Sequence, residues 1–187
     1  GIGHNGGMVV ANSRDMRHFV HATTGHAVIM GRRTLESFPG GRPLKNRRNI
    51  VLTRDPFFHR QGVEVAHDVA HALELVADED EAWVIGGAQI YRQFLPYCQE
   101  AEVTKTMHPR ADAYFPNLDE DPAWELASQS DLATVSRGEG DEGVSFCLQP
   151  ISAASWGRSS SLGYDRYHMS HSVRALRGPA SLKGPCY

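Results

Sequence analysis

Two adjacent glycines, Gly86-Gly87, end an apolar run over residues 82–85 and open a stretch in which Ile90, Tyr91, Phe94 and Leu95 recur at helical spacing. A strand that closes on glycine and turns into a helix lets a ligand approach bare backbone. The first N–H groups of that helix lack intrahelical partners and carry partial positive charge, which suits a phosphate. A tight strand-to-helix turn without a ligand uses the same two glycines. The chain repeats the device: residues 26–31, HAVIMG, form a second apolar run ending in glycine, followed by Arg32-Arg33-Thr34 and a helical Leu35-Glu36-Ser37-Phe38.

One carboxylate stands upstream of both turns. Asp15 falls in the first turn of a helix that Ser13 would cap, with Met16, Phe19, Val20 and Thr23 as its inward stripe. An acid there complements the helix dipole, an effect of about 0.3–1 kcal/mol. His18 and His21 on the same helix read as surface residues. His67 and His71 stand four apart, but no third ligand is near, so no metal site is expected.

These residues need a sheet to position them. The runs at 26–31, 49–52 and 82–85 are short and continuously apolar, as strands buried on both faces are. Residues 63–65 alternate as an edge strand. Asp68 caps a helix with Val69, Ala72, Leu73 and Val76 inward. Residues 102–106 alternate as another strand. Residues 124–135 and 143–147 form a closing antiparallel pair around the acidic, glycine-rich loop 138–142. The expected class is α/β: three layers, a mainly parallel central sheet with an antiparallel C-terminal hairpin, and helices on both faces.

At 187 residues the chain suits one domain with a substantial core. A net charge of -3 argues against bulk nucleic-acid or membrane binding. No apolar run nears the ~20 residues that span a bilayer. Cys98, Cys147 and Cys186 stand far apart, which fits a reduced cytoplasm and neither a disulfide framework nor a zinc site. Residues 148–187 carry five basic residues, one acid and eight serines. That shift sets a boundary near Cys147, with 1–147 as the folded domain and 148–187 as an atypical tail.

The ordered set of motifs resembles dihydrofolate reductase. It comprises Ile2-Gly3, Asp15-Met16 with Phe19, Val28-Ile29-Met30-Gly31-Arg32 with Thr34, and Arg42-Pro43-Leu44. It continues with Arg47 and Asn49-Ile50-Val51-Leu52, Val84-Ile85-Gly86-Gly87 with Ile90-Tyr91, and Tyr114-Phe115-Pro116. They stand in family order at near-family spacing over roughly residues 1–147.

The resemblance implies NADPH-dependent reduction of 7,8-dihydrofolate to tetrahydrofolate, for one-carbon and thymidylate metabolism, by a cytoplasmic monomer that also binds antifolate-like molecules. Asp15 becomes the carboxylate that faces the pterin, accepting two N–H groups from its amidine-like edge. Thr104 supports Asp15, and Met16, Phe19, Phe38, Leu44 and Ile85 line the substrate site. Arg47 forks onto the α-carboxylate of the folate glutamate, a bidentate pairing that lysine could not reproduce. Tyr91 and the Ile85 carbonyl hold the nicotinamide. Thr34, Gly31, Gly86, Gly87, Ala88, Gln89 and Ile90 take the pyrophosphate side, and Ile2 and Gly3 the first loop. Arg32, Arg33, Thr53 and Arg54 suit a 2′-phosphate, which favours NADPH over NADH. No metal or flavin is called for.

Three features depart from the family. In it, Ile2-Gly3 lie just past a first strand that should supply the middle of the sheet; without that strand the expectation is a fragment, or another segment filling the gap. Ser172-Val173-Arg174-Ala175-Leu176 is the best, and a poor, candidate for such a segment. The glycine-rich loop of residues 3–12 places Val10 where the family usually has tryptophan. After Cys147, Leu148-Gln149-Pro150 is expected to interrupt the last strand, because proline has no N–H for the ladder. The alternatives are a pyrimidine reductase of riboflavin biosynthesis on the same fold, and a truncated, non-catalytic remnant.

Overall fold

The computed structural model describes residues 1–5, 7–106 and 111–154. In chain order it has β1 (Gly3–His4), β2 (Gly7–Met8), α1 (Ser13–Thr23), β3 (Ala27–Gly31), α2 (Arg32–Ser37), β4 (Arg48–Leu52), β5 (Glu64–Ala66) and α3 (Val69–Leu75). There follow β6 (Ala82–Gly86), α4 (Ala88–Phe94), β7 (Glu100–Thr106), β8 (Trp124–Leu126), β9 (Ala133–Thr134) and β10 (Ser145–Ala153). Single 3-10 turns follow α2 and α4. The chain divides into two compact units, Thr23–Cys98 and, among the described residues, Gly1–Ala22 with the chain from Gln99 onward.

The Thr23–Cys98 unit is built on a parallel sheet of order β5-β4-β3-β6. Its central strands are the continuous apolar runs that the sequence shows: Val28, Met30, Ile50 and Val51 are completely buried. Burying each such side chain contributes roughly 1.5–3 kcal/mol. The edge position expected for residues 63–65 is taken by β5. Asp68 caps α3, its carboxylate accepting from the His71 N–H at 2.8 Å. His67 and His71 lie ring to ring at 6.5 Å, and among the described residues no cluster of His, Cys, Asp or Glu could hold a metal.

Arg48 ties this unit together from the start of β4. Its guanidinium donates to both Glu64 oxygens at 2.6 and 2.9 Å and to Glu79 at 3.0 Å. Its hydrogen bonds hold the Glu64 carboxyl below its usual pKa, so this contribution is full above the unfolded value of about 4.3 and fades as pH falls through the lower folded one. Arg48→Met is expected to lower stability by about 1 kcal/mol at neutral pH. Denaturant melts should show that gap closing on acidification; a gap constant from pH 7 to 3 would exclude the ion network as its source.

The other unit carries α1 and an antiparallel sheet in which β10 pairs with β7 over its length and with β8 and β9 on its other side. Lys105 on β7 is nearly buried and donates to Asp119 at 2.6 and 2.8 Å. Asn12, not Ser13, caps α1: its side-chain oxygen accepts from the N–H groups of Arg14 and Asp15 at 3.0 and 3.3 Å. The inward stripe also differs from expectation. Met16 and Val20 are 40% and 46% exposed, whereas Asp15, His18, Phe19, Ala22 and Thr23 form the more buried face. That set has true helical spacing but is half polar, so hydrophobicity alone misplaces it.

The last strand does not break at Leu148-Gln149-Pro150; β10 continues to Ala153. Pro150 stands opposite Glu102, but its carbonyl accepts from Ala127 at 3.0 Å, on the side away from β7. In an antiparallel strand a residue's N and C=O point to the same side. The missing N–H of Pro150 therefore costs no bond to β7. The candidate strand 172–176, Cys186 and the remainder of the tail lie outside the described residues. Within these, no helix is long and apolar enough to cross a membrane.

Candidate active site

The carboxylate lies in the α1-bearing unit. Asp15 sits in the first turn of α1, on its more buried face, and accepts a hydrogen bond from the Thr104 hydroxyl at 2.6 Å. Thr104 is buried at the centre of β7. A hydroxyl donor on one carboxylate oxygen fixes the plane of the group. Phe19 follows one turn along the same face and is half-buried, whereas Met16 points more to solvent. Ile2 and Gly3 belong to this unit: the Ile2 N–H donates to the Ala113 carbonyl at 2.7 Å, and β1 pairs with β2 as a short hairpin. Val9 and Val10, after that hairpin, are buried.

The glycine turns lie in the Thr23–Cys98 unit, at the C-terminal ends of neighbouring parallel strands. β3 and β6 pair with a register shift that brings Met30 opposite Gly86. The Gly86-Gly87 peptide is cis. Gly86 has φ +112°, in the region that favours glycine, and a Cβ there would stand 3.1 Å from the Tyr91 hydroxyl and 3.2 Å from its ring. A Cβ on Gly31 would meet Ile90 at 3.1 Å, and one on Gly87 would lie 3.7 Å from the Thr34 hydroxyl. Gly31, Thr34, Gly86, Gly87, Ile90 and Tyr91 therefore lie close together at the ends of β3 and β6. Ile85 is buried beneath it, and Ala88 and Gln89 begin α4. The helices behind the turns have only six and seven residues, so backbone N–H groups rather than large helix dipoles are what they present.

The basic residues are not equivalent. Arg32 donates to Glu36 at 2.6 Å and to Asp55 at 2.9 Å, and its guanidinium stands 5.0 Å from the centre of the Phe58 ring. Glu36 first, then Asp55, raise its pKa further. Its charge is therefore already answered by two carboxylates. Arg33 and Arg54 are exposed and form no ion pair among the described residues. The Thr53 hydroxyl accepts from the Asp55 N–H at 3.2 Å.

Arg47 donates to three neutral oxygens, from Nε to the Thr23 hydroxyl at 2.8 Å, from Nη1 to the Lys45 carbonyl at 2.9 Å, and from Nη2 to the Thr24 hydroxyl at 3.2 Å. Partial burial lowers its pKa from the usual arginine value, without threatening its charge. Arg48, its neighbour, is fully committed to Glu64 and Glu79. Leu44 and Phe38 are half-buried.

Sequence reasoning passed over two sets of supporting residues. Asn49 is buried and clips the loop before β4, its amide oxygen accepting from the Leu44 N–H at 2.9 Å and its amide nitrogen donating to the carbonyls of Leu44 and Arg47. A lone Asn heading an apolar run was the available signal. His18, expected at the surface, is instead paired with Glu102, Nε2 to Oε2, at 2.7 Å. His21 is exposed.

Comparison with known proteins agrees with these motifs. A family model described as dihydrofolate reductase matches residues 1–141. Fold, turns and family match together define an oxidoreductase of the nicotinamide-dependent class. The chain belongs to the dihydrofolate reductase family. It is 40% identical over 121 residues to the dihydrofolate reductase of Staphylococcus haemolyticus, covering 64% of this chain and 72% of that protein. It is 42% identical over 115 residues to that of Bacillus subtilis (strain 168), covering 61% and 67%. With the Mycobacterium leprae (strain TN) enzyme the identity is 43% over 124 residues, covering 64% and 75%.

Proposed function

We propose that this chain reduces 7,8-dihydrofolate to 5,6,7,8-tetrahydrofolate with NADPH, as a cytoplasmic monomer. The observation that carries the proposal is the Asp15 carboxylate held by Thr104 at 2.6 Å in a chain of this family.

The glycine cradle fits a dinucleotide. Gly31, Gly86 and Gly87 leave backbone open where side chains would crowd Ile90 or Tyr91, or approach Thr34. Gly31, Thr34, Gly86, Gly87 and Ala88 would hold the pyrophosphate, with Tyr91 and the Ile85 carbonyl beside the nicotinamide. Arg33, Arg54 and Thr53 would take the 2′-phosphate, with Arg32 joining only by releasing a carboxylate. Bound there, NADPH supplies the hydride that the C=N carbon accepts.

The chain's residues then bind and orient. Asp15 accepts from the ring N–H and amino group of the pterin in a charge-assisted pair. Its other bond, from Thr104, prevents the carboxylate from turning away. Arg47, pre-set by Thr23, Thr24 and the Lys45 carbonyl, presents a planar fork to the glutamate α-carboxylate. Asp15 grips the pyrimidine edge, which is remote from the nitrogen that gains the proton, so water delivers that proton while Asp15 polarises the ring.

The test is the fall in NADPH absorbance with dihydrofolate as substrate, repeated with the ribosyl-aminopyrimidine of riboflavin biosynthesis. Turnover with dihydrofolate alone is the expected result. Turnover with the ribosyl-aminopyrimidine alone would move the chain to the pyrimidine reductases. A folded chain that binds no NADPH would be a non-catalytic remnant.

A further inference from the structure

We propose that His18 and Glu102 form a second clamp between α1 and β7 that sets the aim of the Asp15 carboxylate, making both of them positioning residues; this rests on the dihydrofolate-reducing function proposed above. His18 lies three residues after Asp15 and so on the same face of α1. Glu102 lies two residues before Thr104 and so on the same face of β7. Two rungs therefore run side by side between one helix and one strand: Asp15 to Thr104 at 2.6 Å, and His18 Nε2 donating to Glu102 Oε2 at 2.7 Å.

One rung leaves a helix free to roll about its axis. A second rung a turn away removes that freedom. The His18 and Glu102 side chains are only 35% and 24% exposed, so the pair is better shielded than an ordinary surface ion pair. Several other ties on α1 do not reach β7. Asn12 caps its first turn, the Ser13 N–H donates to the Glu139 carbonyl at 2.7 Å, Arg17, 64% exposed, reaches the Glu139 side chain at 3.0 Å, and the Arg14 guanidinium stands 5.5 Å from the centre of the Phe146 ring on β10. A functional carboxylate has to be held to within about 0.5 Å, and a misplacement near 1 Å costs on the order of 10²-fold in rate. An imidazole and a carboxylate facing each other beside Asp15 are what such a tolerance asks for.

The experiment uses His18→Leu, His18→Gln and Arg17→Met in the whole chain. Gln places an amide donor close to where Nε2 stands, so it should keep the clamp. His18→Leu is expected to lower kcat for dihydrofolate about tenfold with the KM for NADPH unchanged, while His18→Gln recovers most of the loss and Arg17→Met shows none. Amide hydrogen exchange across α1 reads the clamp without turnover, and should rise in His18→Leu and not in His18→Gln. Faster exchange with unchanged kcat would overturn the proposal, as would equal losses in Leu and Gln variants or a loss matched by Arg17→Met. A wild-type chain that reduces no dihydrofolate, yet shows the expected exchange pattern, would reject the function and leave the clamp as structure only.

Discussion

Asp15→Asn is expected to reduce kcat/KM for dihydrofolate by about 10²-fold or more, a cost of the order that follows from losing the group that positions the substrate, with little change in NADPH affinity. The amide retains the size of the carboxylate and can still accept from the Thr104 hydroxyl, now held at 2.6 Å, through its oxygen. What it loses is the charge. A carboxylate accepts both N–H groups of an amidine-like edge, whereas a carboxamide presents one acceptor and one donor, so one hydrogen bond becomes a donor-to-donor clash. The loss appears in steady-state kinetics, and NADPH titration by fluorescence checks that the cofactor side is intact. A variant with more than a tenth of wild-type kcat/KM would show that Asp15 is the dipole-complementing acid that its helical position alone allows.

The second large effect lies at the glycine turn. Gly86→Ala places a Cβ 3.1–3.2 Å from Tyr91 and forces alanine to φ +112°. Backbone strain alone costs about 1–3 kcal/mol, and Tyr91, which is buried, has little room to retreat. NADPH affinity is expected to fall at least tenfold, with a lower denaturation midpoint. Gly87→Ala separates the two consequences. Its φ is -83° and its Cβ would lie in ordinary contact, 3.7 Å from Thr34. It should fold with near wild-type stability yet bind NADPH more weakly, because the methyl occupies backbone surface at the proposed pyrophosphate site. Equal NADPH affinity in Gly87→Ala and wild type would place the pyrophosphate elsewhere.

The elements that were legible are those whose burial is simple. β3, β4 and β6 are hydrophobic on both faces, and their continuous runs announce a parallel sheet without ambiguity. Asp68 is legible as a cap because it immediately precedes a regular apolar face. Where a buried face carries polar groups, hydrophobic periodicity fails. α1 shows this most clearly: the stripe through Met16 and Val20 is the more apolar one, but the helix turns Asp15 and His18 inward. The partners that make this tolerable, Thr104 and Glu102, stand 89 and 84 residues away. Nothing local in the sequence reports such a pairing.

Pro150 is a different failure. Proline breaks a ladder only where its nitrogen would face a partner strand, so its effect depends on which side of the strand that nitrogen faces. Here that side holds Ala127 and Ser128 rather than β7. Parity along β10, fixed only by tertiary pairing, decides the outcome. Ser13 and Asn12 are both good caps, and the choice rests on where α1 begins, a matter of one residue. Arg32 carries the same lesson for charge: its position beside Gly31 suggests a phosphate ligand, while Glu36 and Asp55 already engage it.

The most direct test is transfer of label from NADPH carrying deuterium at the transferable position of its nicotinamide. After incubation with dihydrofolate and this chain, the product is examined by mass spectrometry. The expected product is tetrahydrofolate with one deuteron on the former C=N carbon and an unlabelled adjacent nitrogen proton drawn from water. Unlabelled product, or no product from a folded chain, would contradict it.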